Sequence, residues 1–266
     1  MKDAERGQFA VITGASSGIG LELAKQFAQH GFDVLLAAED DRLGDAAHEV
    51  RNLGVQVEAV KVNLATREGV DMLYQRIQAL GRPVDAIALN AGVGVGGAFV
   101  DNDLEAELDM IALNVTGVVH LAKHVVKDMV ARNEGRILFT ASVVAEMPGP
   151  FLAVYAASKA FVLSFAEAIR NELEDTNVVV TALQPGVTDT DFYRRAGMEG
   201  TKVGDGAKSD PADVARAGFE ALMKGKDHVV AGSFKEKVLV VLGQVAPETT
   251  KAEMLRKQTE PGSAGA

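Results

Sequence analysis

The stretch Thr13-Gly14-Ala15-Ser16-Ser17-Gly18-Ile19-Gly20 stands directly between the apolar run Phe9–Thr13 and a helical pattern over Ile19–Gln29. Gly14, Gly18 and Gly20 permit a sharp turn, close approach of a ligand to the backbone, and tight packing of helix on strand. The helix start also aims free amides and a partial positive charge into the turn, so a pyrophosphate fits there without a lysine. The same residues, Gly14-Ala15-Ser16-Ser17-Gly18, match the G-x-S-x-G elbow of α/β-hydrolases. Only one strand precedes them, whereas that fold builds several, and none of the histidines stands where it is marked as a base.

Outward from this turn, short β-branched runs alternate with longer helical patterns, the signature of a parallel sheet wound with helices. The expected strands are Phe9–Thr13, Val34–Ala37, Val55–Val62, Val84–Leu89, Arg136–Ala141, Val178–Leu183 and His228–Ala231. Several are apolar without strict alternation, as strands covered on both faces are. Helices are expected over about 41–52, 68–80, 104–132, 153–174 and 211–223, the long 104–132 stretch being one helix or two. Asp210-Pro211 reads as a cap followed by proline in the first turn.

The chain has 266 residues, 47% of them hydrophobic, enough for one large α/β domain that needs no disulfide or structural metal. It lacks cysteine, which excludes thiolate zinc sites, iron–sulfur clusters and cysteine nucleophiles. The net charge of −10 argues against a nucleic-acid groove, because neutralising phosphates takes a basic face. The charged N-terminus lacks the apolar run of a signal peptide. The apolar run Val238–Leu242 is far short of the roughly 20 residues of a membrane span. A cytoplasmic protein without a membrane span is expected.

Taken with Asn90-Ala91-Gly92 after the fourth strand and Tyr155-Ala156-Ala157-Ser158-Lys159 on a later helix, the Gly-x-x-x-Gly-x-Gly spacing resembles the short-chain dehydrogenase/reductase family. The resemblance is to its single-domain branch and covers residues 8 to 232. It implies a doubly wound, Rossmann-type, seven-stranded parallel sheet with helices on both faces. It further implies an oxidoreductase that moves a hydride between a nicotinamide dinucleotide and a carbonyl or secondary alcohol. In that family Tyr155 would be the acid/base, Lys159 would lower its pKa and hold the nicotinamide ribose, Ser142 would bond the substrate oxygen, and Asn114 would hold a water relay behind the lysine. Tyr155 and Lys159 are spaced i, i+4 and so share a helix face. An unperturbed tyrosine, with a pKa near ~10, is a poor base at neutral pH, and an ammonium nearby favours its phenolate. Asn114 also reads as a helix-kinking or capping residue.

The resemblance places the dinucleotide against Gly14, Ser16, Ser17, Gly18, Ile19 and Gly20, then Glu39, Asn63 and Leu64. Asn90, Ala91, Gly92, Tyr155, Lys159, Pro185, Gly186, Thr188 and Thr190 complete the set. NAD(H) is favoured and NADP(H) remains open. Neither Ser17, Ala38 nor Glu39 is basic, and Glu39 or Asp40 would repel a 2′-phosphate while accepting a 2′-hydroxyl. The family's acidic position falls on Ala38, however, and Arg42 can fold back toward a phosphate. Asn63 and Leu89 stand where the family usually has aspartate and asparagine.

The candidate pocket residues Val93, Val143, Val144, Met147, Phe151, Leu152 and Phe192 suit an apolar carbonyl compound or alcohol. Arg194 and Arg195 read as a solvated pair or as a clamp for an acid. His120 and His124 are spaced for chelation, yet no carboxylate or third histidine accompanies them at a suitable spacing, so a helix flank or subunit contact is expected and no metal site. Residues 1–234 read as one dinucleotide-binding and catalytic domain with an irregular substrate loop over about 187–210. Residues 235–266 read as an extension, a helix and then a tail disordered after about Gln258, with the apolar segment Val238–Val245 serving as a lid or subunit contact. A homodimer or homotetramer is expected. The competing reading is a non-catalytic dinucleotide-binding regulator or scaffold on the same fold, which would be expected to lack Ser142, Tyr155 or Lys159.

Overall fold

Successive side chains of a strand point to opposite faces, and here both faces are covered by apolar partners. The computed structural model describes residues 7–233 and 247–265. In β1 (Phe9–Thr13), Phe9 and Val11 join one core while Ala10 and Ile12 join the other. The same alternation runs through β2 (Asp33–Ala38), with Leu35 and Ala37 opposite Val34, Leu36 and Ala38. With β3 (Val57–Lys61), β4 (Ala86–Leu89), β5 (Gly135–Thr140), β6 (Val178–Pro185) and β7 (His228–Ala231), they form a seven-stranded sheet in the order β3-β2-β1-β4-β5-β6-β7. Every neighbouring pair is parallel. The order reverses between β1 and β4, so a crevice opens at the strand ends there, where open α/β sheets bind ligands.

One face carries α1 (Gly18–Gln29), α2 (Leu43–Arg51) and α9 (Pro211–Met223), whose Phe27 and Phe219 meet edge-on at 5.0 Å. The other carries α3 (Arg67–Ala79), α5 (Val118–Arg132) and α6 (Ala153–Glu172). Caps set several of the starts. Thr66 Oγ1 accepts the Gly69 amide at 3.0 Å and Asp210 Oδ1 accepts the Ala212 amide at 2.8 Å, the latter as Asp210-Pro211 predicts.

The 104–132 stretch is neither one regular helix nor two separate ones. α4 (Leu104–Ile111) runs through a π-helical turn, Ala112–Gly117, into α5. Gly117 lies so close to the Leu64 carbonyl that a Cβ there would sit 2.2 Å from its oxygen. The bulge turns Asn114 inward, the usual place of such a turn being a functional site.

Two other expectations are corrected. The loop over 187–210 is not irregular: it holds the single turns α7 (Phe192–Arg195) and α8 (Lys202–Asp205), with a parallel bridge from Thr188 to Ser209. Nor is the tail beyond Gln258 disordered. A helix, Glu248–Thr259, is followed by a 3₁₀ turn, Ser263–Gly265, because Ser263 Oγ accepts the Lys202 amide at 3.0 Å and the Ala264 amide reaches Gly200 O at 3.2 Å. The segment Val238–Val245 lies outside the described residues.

Candidate active site

α1 begins with Ser17 in extended conformation, its side chain capping nothing, and with no acidic residue in the first turn. The first amides of the helix therefore face the crevice with their partial positive charge uncompensated by a cap. Gly14 takes φ +66°, and a Cβ there would stand 2.8 Å from Ala91 Cα; only glycine lets the turn lie against the loop after β4. Thr13 Oγ1 accepts the amides of Asn90 at 2.9 Å and Ala91 at 3.0 Å. Asn90 in turn donates to Thr13 O at 3.1 Å and accepts from Thr140 Oγ1 at 3.2 Å, bracing β1, β4 and β5 at the switch point.

A cleft of about 520 Å³ runs along these strand ends, within the size of small-ligand sites. All the residues expected to bind the dinucleotide line it: Gly14, Ser16, Ser17, Gly18, Ile19, Gly20, Glu39, Asn63, Leu64, Asn90, Ala91, Gly92, Tyr155, Lys159, Pro185, Gly186, Thr188 and Thr190. Ser142 lines it too, whereas Asn114 lies behind the wall. The fit to a dinucleotide rests on uncapped amides at one end and buried hydroxyl and ammonium groups at the other. Asn63 Oδ1 already accepts the Ala65 amide at 2.8 Å, so an adenine amino group would take its second lone pair.

At the β4–β6 end, Ser142 closes β5 and Tyr155 and Lys159 share the buried face of α6. Ser142 and Tyr155 both line the cleft, and the Ser142 side chain favours the phenolate of Tyr155. Lys159 Nζ donates to Thr140 O at 2.9 Å and stands 5.9 Å from the Tyr155 ring centroid. Asn114 Oδ1 accepts the Val93 amide at 3.0 Å, and its Nδ2 donates to Val93 O at 2.9 Å and Ser158 Oγ at 3.1 Å. It therefore neither caps nor merely kinks its helix. It ties the loop after β4 to α6 one residue before Lys159.

The expected lowering of the Tyr155 pKa is not found in the chain by itself. Burial pushes the phenol up to about 12, and the Ser142 side chain offsets only part of that. Burial likewise pulls Lys159 down to about 8. Desolvation penalises the charged form of each group, and here it outweighs their mutual influence.

At the other end Arg42 does fold back. Its guanidinium forks onto Asp40, with Nη2–Oδ2 at 2.7 Å, reaches Asp191 at 2.8 Å and approaches Ser17 Oγ at 3.4 Å. Arg195 joins Asp40 at 3.0 Å and Arg194 joins Asp191 at 3.2 Å. Arg42 and Arg195 fasten the loop over 187–210 to the end of β2, while Arg194 pairs within the loop itself. Arg42 and Asp191 hold their charge more firmly chiefly through these side-chain hydrogen bonds, and Asp40 chiefly through the Arg42 backbone amide that donates to its Oδ1 at 2.9 Å.

Of the expected pocket residues, Val93, Val143, Val144, Met147, Leu152 and Phe192 line the cleft. Phe151 does not: at φ +58° its ring faces the Arg256 guanidinium, 5.2 Å away. Tyr193, Val203, Leu255 and Thr259 line it unforeseen. The last two come from the C-terminal helix, where Thr259 Oγ1 donates to Pro150 O at 2.7 Å. Only the weak clue of Met254 and Leu255 in a largely polar segment marked them. Close packing accounts for Gly94 and Gly96 in the loop after β4. A Cβ at Gly94 would stand 2.5 Å from the Phe192 ring, and one at Gly96 2.6 Å from Met198 Cγ, so this segment is where the substrate loop rests.

Residues 8–199 match the family profile described as short chain dehydrogenase. An uncharacterised oxidoreductase of Staphylococcus saprophyticus is 32% identical over 217 residues, 81% of this chain and 91% of that protein. Among solved structures, a short-chain dehydrogenase from Sphingobium yanoikuyae in complex with NADPH is similar with a TM-score of 0.78 and 31% identity, covering 84% of this chain and 87% of that one. A short chain dehydrogenase/reductase from Burkholderia phymatum in complex with NAD gives a TM-score of 0.81 at 26% identity, covering 96% and 97%.

Proposed function

Because the chain belongs to the short-chain dehydrogenase/reductase family and is an oxidoreductase of that family, we propose that it interconverts an apolar ketone and its secondary alcohol with NAD(H), using Ser142, Tyr155, Lys159 and Asn114. The observation that carries this reading is the meeting of Ser142, Tyr155 and Lys159 in one cleft, with the ammonium 5.9 Å from the centre of the phenol ring. The complete set leaves nothing to favour a non-catalytic protein, and the hydrolase elbow lacks a partner base in this cleft, since no histidine lines it among the described residues.

A nicotinamide dinucleotide, when bound, supplies or accepts the hydride. The start of α1 would hold its pyrophosphate, Asn63 and Leu64 its adenine, Glu39 its adenosine ribose, Asn90, Tyr155 and Lys159 its nicotinamide ribose, and the Thr188 backbone with Thr190 its carboxamide. In the reducing direction the Tyr155 hydroxyl gives its proton to the carbonyl oxygen, and the O–H bond lost at the tyrosine is regained at the alcohol. A phenol held near 12 stays protonated through neutral pH and is ready to donate. Ser142 Oγ bonds the same oxygen and orients it. Lys159 offsets the phenolate left behind, and Asn114 fixes the backbone beside it. Alcohol oxidation is the reverse, with Tyr155 taking the proton. The apolar side chains of Val143, Val144, Met147, Leu152 and Phe192 support an apolar substrate.

The preference for NAD(H) is supported by the rim. Arg42 and Arg195 are already committed to Asp40 and Asp191, and Glu39 adds a further negative charge. A 2′-phosphate would have to displace those carboxylates. We read residues 7–233 as one catalytic domain, with the C-terminal helix completing its pocket. Leu104, Leu108 and Ile111 form an exposed i, i+4, i+7 stripe on α4, which supports a homodimer or homotetramer. Among the described residues no helix is long and apolar enough to cross a membrane.

The test is nicotinamide absorbance with NADH and NADPH against a panel of apolar ketones, with Tyr155→Phe in parallel. Turnover that vanishes in the variant is expected. Turnover that survives in it would sink the assignment, and a tenfold or greater kcat/KM advantage for NADPH would sink the cofactor preference.

A further inference from the structure

α3 and α5 lie side by side on the face of the sheet away from α1. His120 and His124 are one helical turn apart on α5, and the sequence places no third ligand beside them. Packing does: Asp71, near the start of α3, brings its Oδ1 to 3.1 Å from His120 Nε2 and 3.7 Å from His124 Nε2. One ligand atom from each residue lies within 4.8 Å of the others. Two ligands each about 2.0–2.1 Å from a tetrahedral ion sit about 3.3 Å apart, and the two measured spacings straddle that value.

A second observation concerns His124 alone. Its Nε2 is buried and has no hydrogen-bond partner. Its ring is held by a stack on Tyr74 at 4.3 Å and 15°, and Tyr74 is itself fixed by a 2.9 Å hydrogen bond to Asp128. A buried ring nitrogen left without a proton partner costs free energy unless something else fills that role. A positioned imidazole with a held ring is also how metal ligands are commonly supported. Neighbouring carboxylates of ordinary surface pairs do not explain an orphaned nitrogen aimed at the same oxygen.

We propose that Asp71, His120 and His124 bind one divalent transition-metal ion of the zinc type, with the remaining position taken by water. Two imidazoles and one carboxylate select such an ion over calcium or magnesium, which take oxygen ligands. The ion would staple α3 to α5. Because α5 continues from the π turn that carries Asn114, the staple would also brace the helix behind the catalytic groups. This site is separate from the cleft: none of its three residues lines it.

The test uses the full chain, stripped with chelator and titrated with Zn²⁺ against a competing chromophoric chelator. The variants are Asp71→Asn, His124→Gln and, as a control, His30→Gln, with circular dichroism verifying that each folds without metal. One Zn²⁺ per wild-type chain is expected, with Kd weakened at least tenfold in the first two variants and unchanged in the control. Zn²⁺ at a hundredfold excess over Kd should raise the wild-type Tm by about 5 °C or more, and far less in the two site variants. No saturable binding, or equal binding in all the chains, would overturn the proposal. Because the readouts are affinity and melting, the outcome does not depend on finding a substrate.

Discussion

The β1–β2 end of the cleft presents amides at the start of α1 and a rim of ion pairs, with Asp40, Arg42, Asp191 and Arg195 exposed by 27–44% at the side chain. At the β4–β6 end Ser142, Tyr155 and Lys159 are each 8% exposed or less. Burial at that end shifts both titratable groups strongly, the phenol up and the ammonium down. At the rim, solvent screens the charges, and such pairs select and align more than they stabilise. Under the proposed function the difference separates two tasks. Chemistry belongs where water is excluded and a proton's position is controlled; choice of ligand belongs where charges can be rearranged at small cost.

Substitutions should therefore divide along the cleft. Tyr155→Phe is expected to lower kcat by about a thousandfold, the range of a lost general acid, while dinucleotide affinity, measured by fluorescence or calorimetry, falls far less because Asn90 and Lys159 would still hold the nicotinamide ribose. A comparable loss of affinity would break the division.

Lys159→Met tests the cost of the buried charge. It should abolish most turnover yet stabilise the chain without ligand by about 1–3 kcal/mol at pH 7, an upper bound set by its pKa displacement less the lost bond to Thr140. The sign follows from linkage. With the folded value near 8 against 10.5 in the free side chain, the unfolded chain binds more protons between those values. The wild-type chain's deficit is thus full below about pH 8 and fades as pH rises toward 10.5. Urea titrations of both chains at pH 7 and pH 10 should show the gap closing. In the same window kcat/KM for ketone reduction should fall, because Lys159 loses the charge that offsets the phenolate; a profile flat from pH 7 to pH 10 would detach the lysine from that role.

At the other end the expected effects are smaller and fall on binding. A Cβ at Gly20 would stand 2.1 Å from Gly14 O. Gly20→Ala should cost about 1–3 kcal/mol of stability through overpacking and weaken dinucleotide binding. Asp40→Ala removes one of the two carboxylates beside Arg42 and Arg195, leaving Asp191, and should move the NADPH/NADH ratio of kcat/KM about tenfold toward NADPH with kcat within about twofold. If Asp40→Ala changed kcat as much as the ratio, the rim would be part of the chemistry after all.

Much of this was legible before folding was considered. The glycine turn, the apolar strands and the Tyr155/Lys159 spacing are local patterns whose meaning does not depend on distant residues. Some expectations failed where the deciding partner was distant. Asp71 stands far from His120 in the chain and beside it in space. The tail after Gln258 reads as polar and disordered, yet Ser263 and Thr259 find partners at Lys202 and Pro150. Arg194 and Arg195 read as a solvated pair or a clamp; both are largely exposed, Arg194 pairs with Asp191 of its own loop, and only the Asp40 carboxylate beside Arg195 comes from a distant segment.

By itself, then, the sequence determined the parallel sheet, the glycine turn at the start of the first helix and the helix face that Tyr155 and Lys159 share, because periodicity, glycine backbone freedom and the i, i+4 geometry are properties of neighbours. Only the tertiary structure decided the direction of the Tyr155 and Lys159 shifts, the company of Arg42 and the carboxylate of Asp71 beside His120 and His124. Burial and through-space distance set those, and both exist only once the chain has closed on itself.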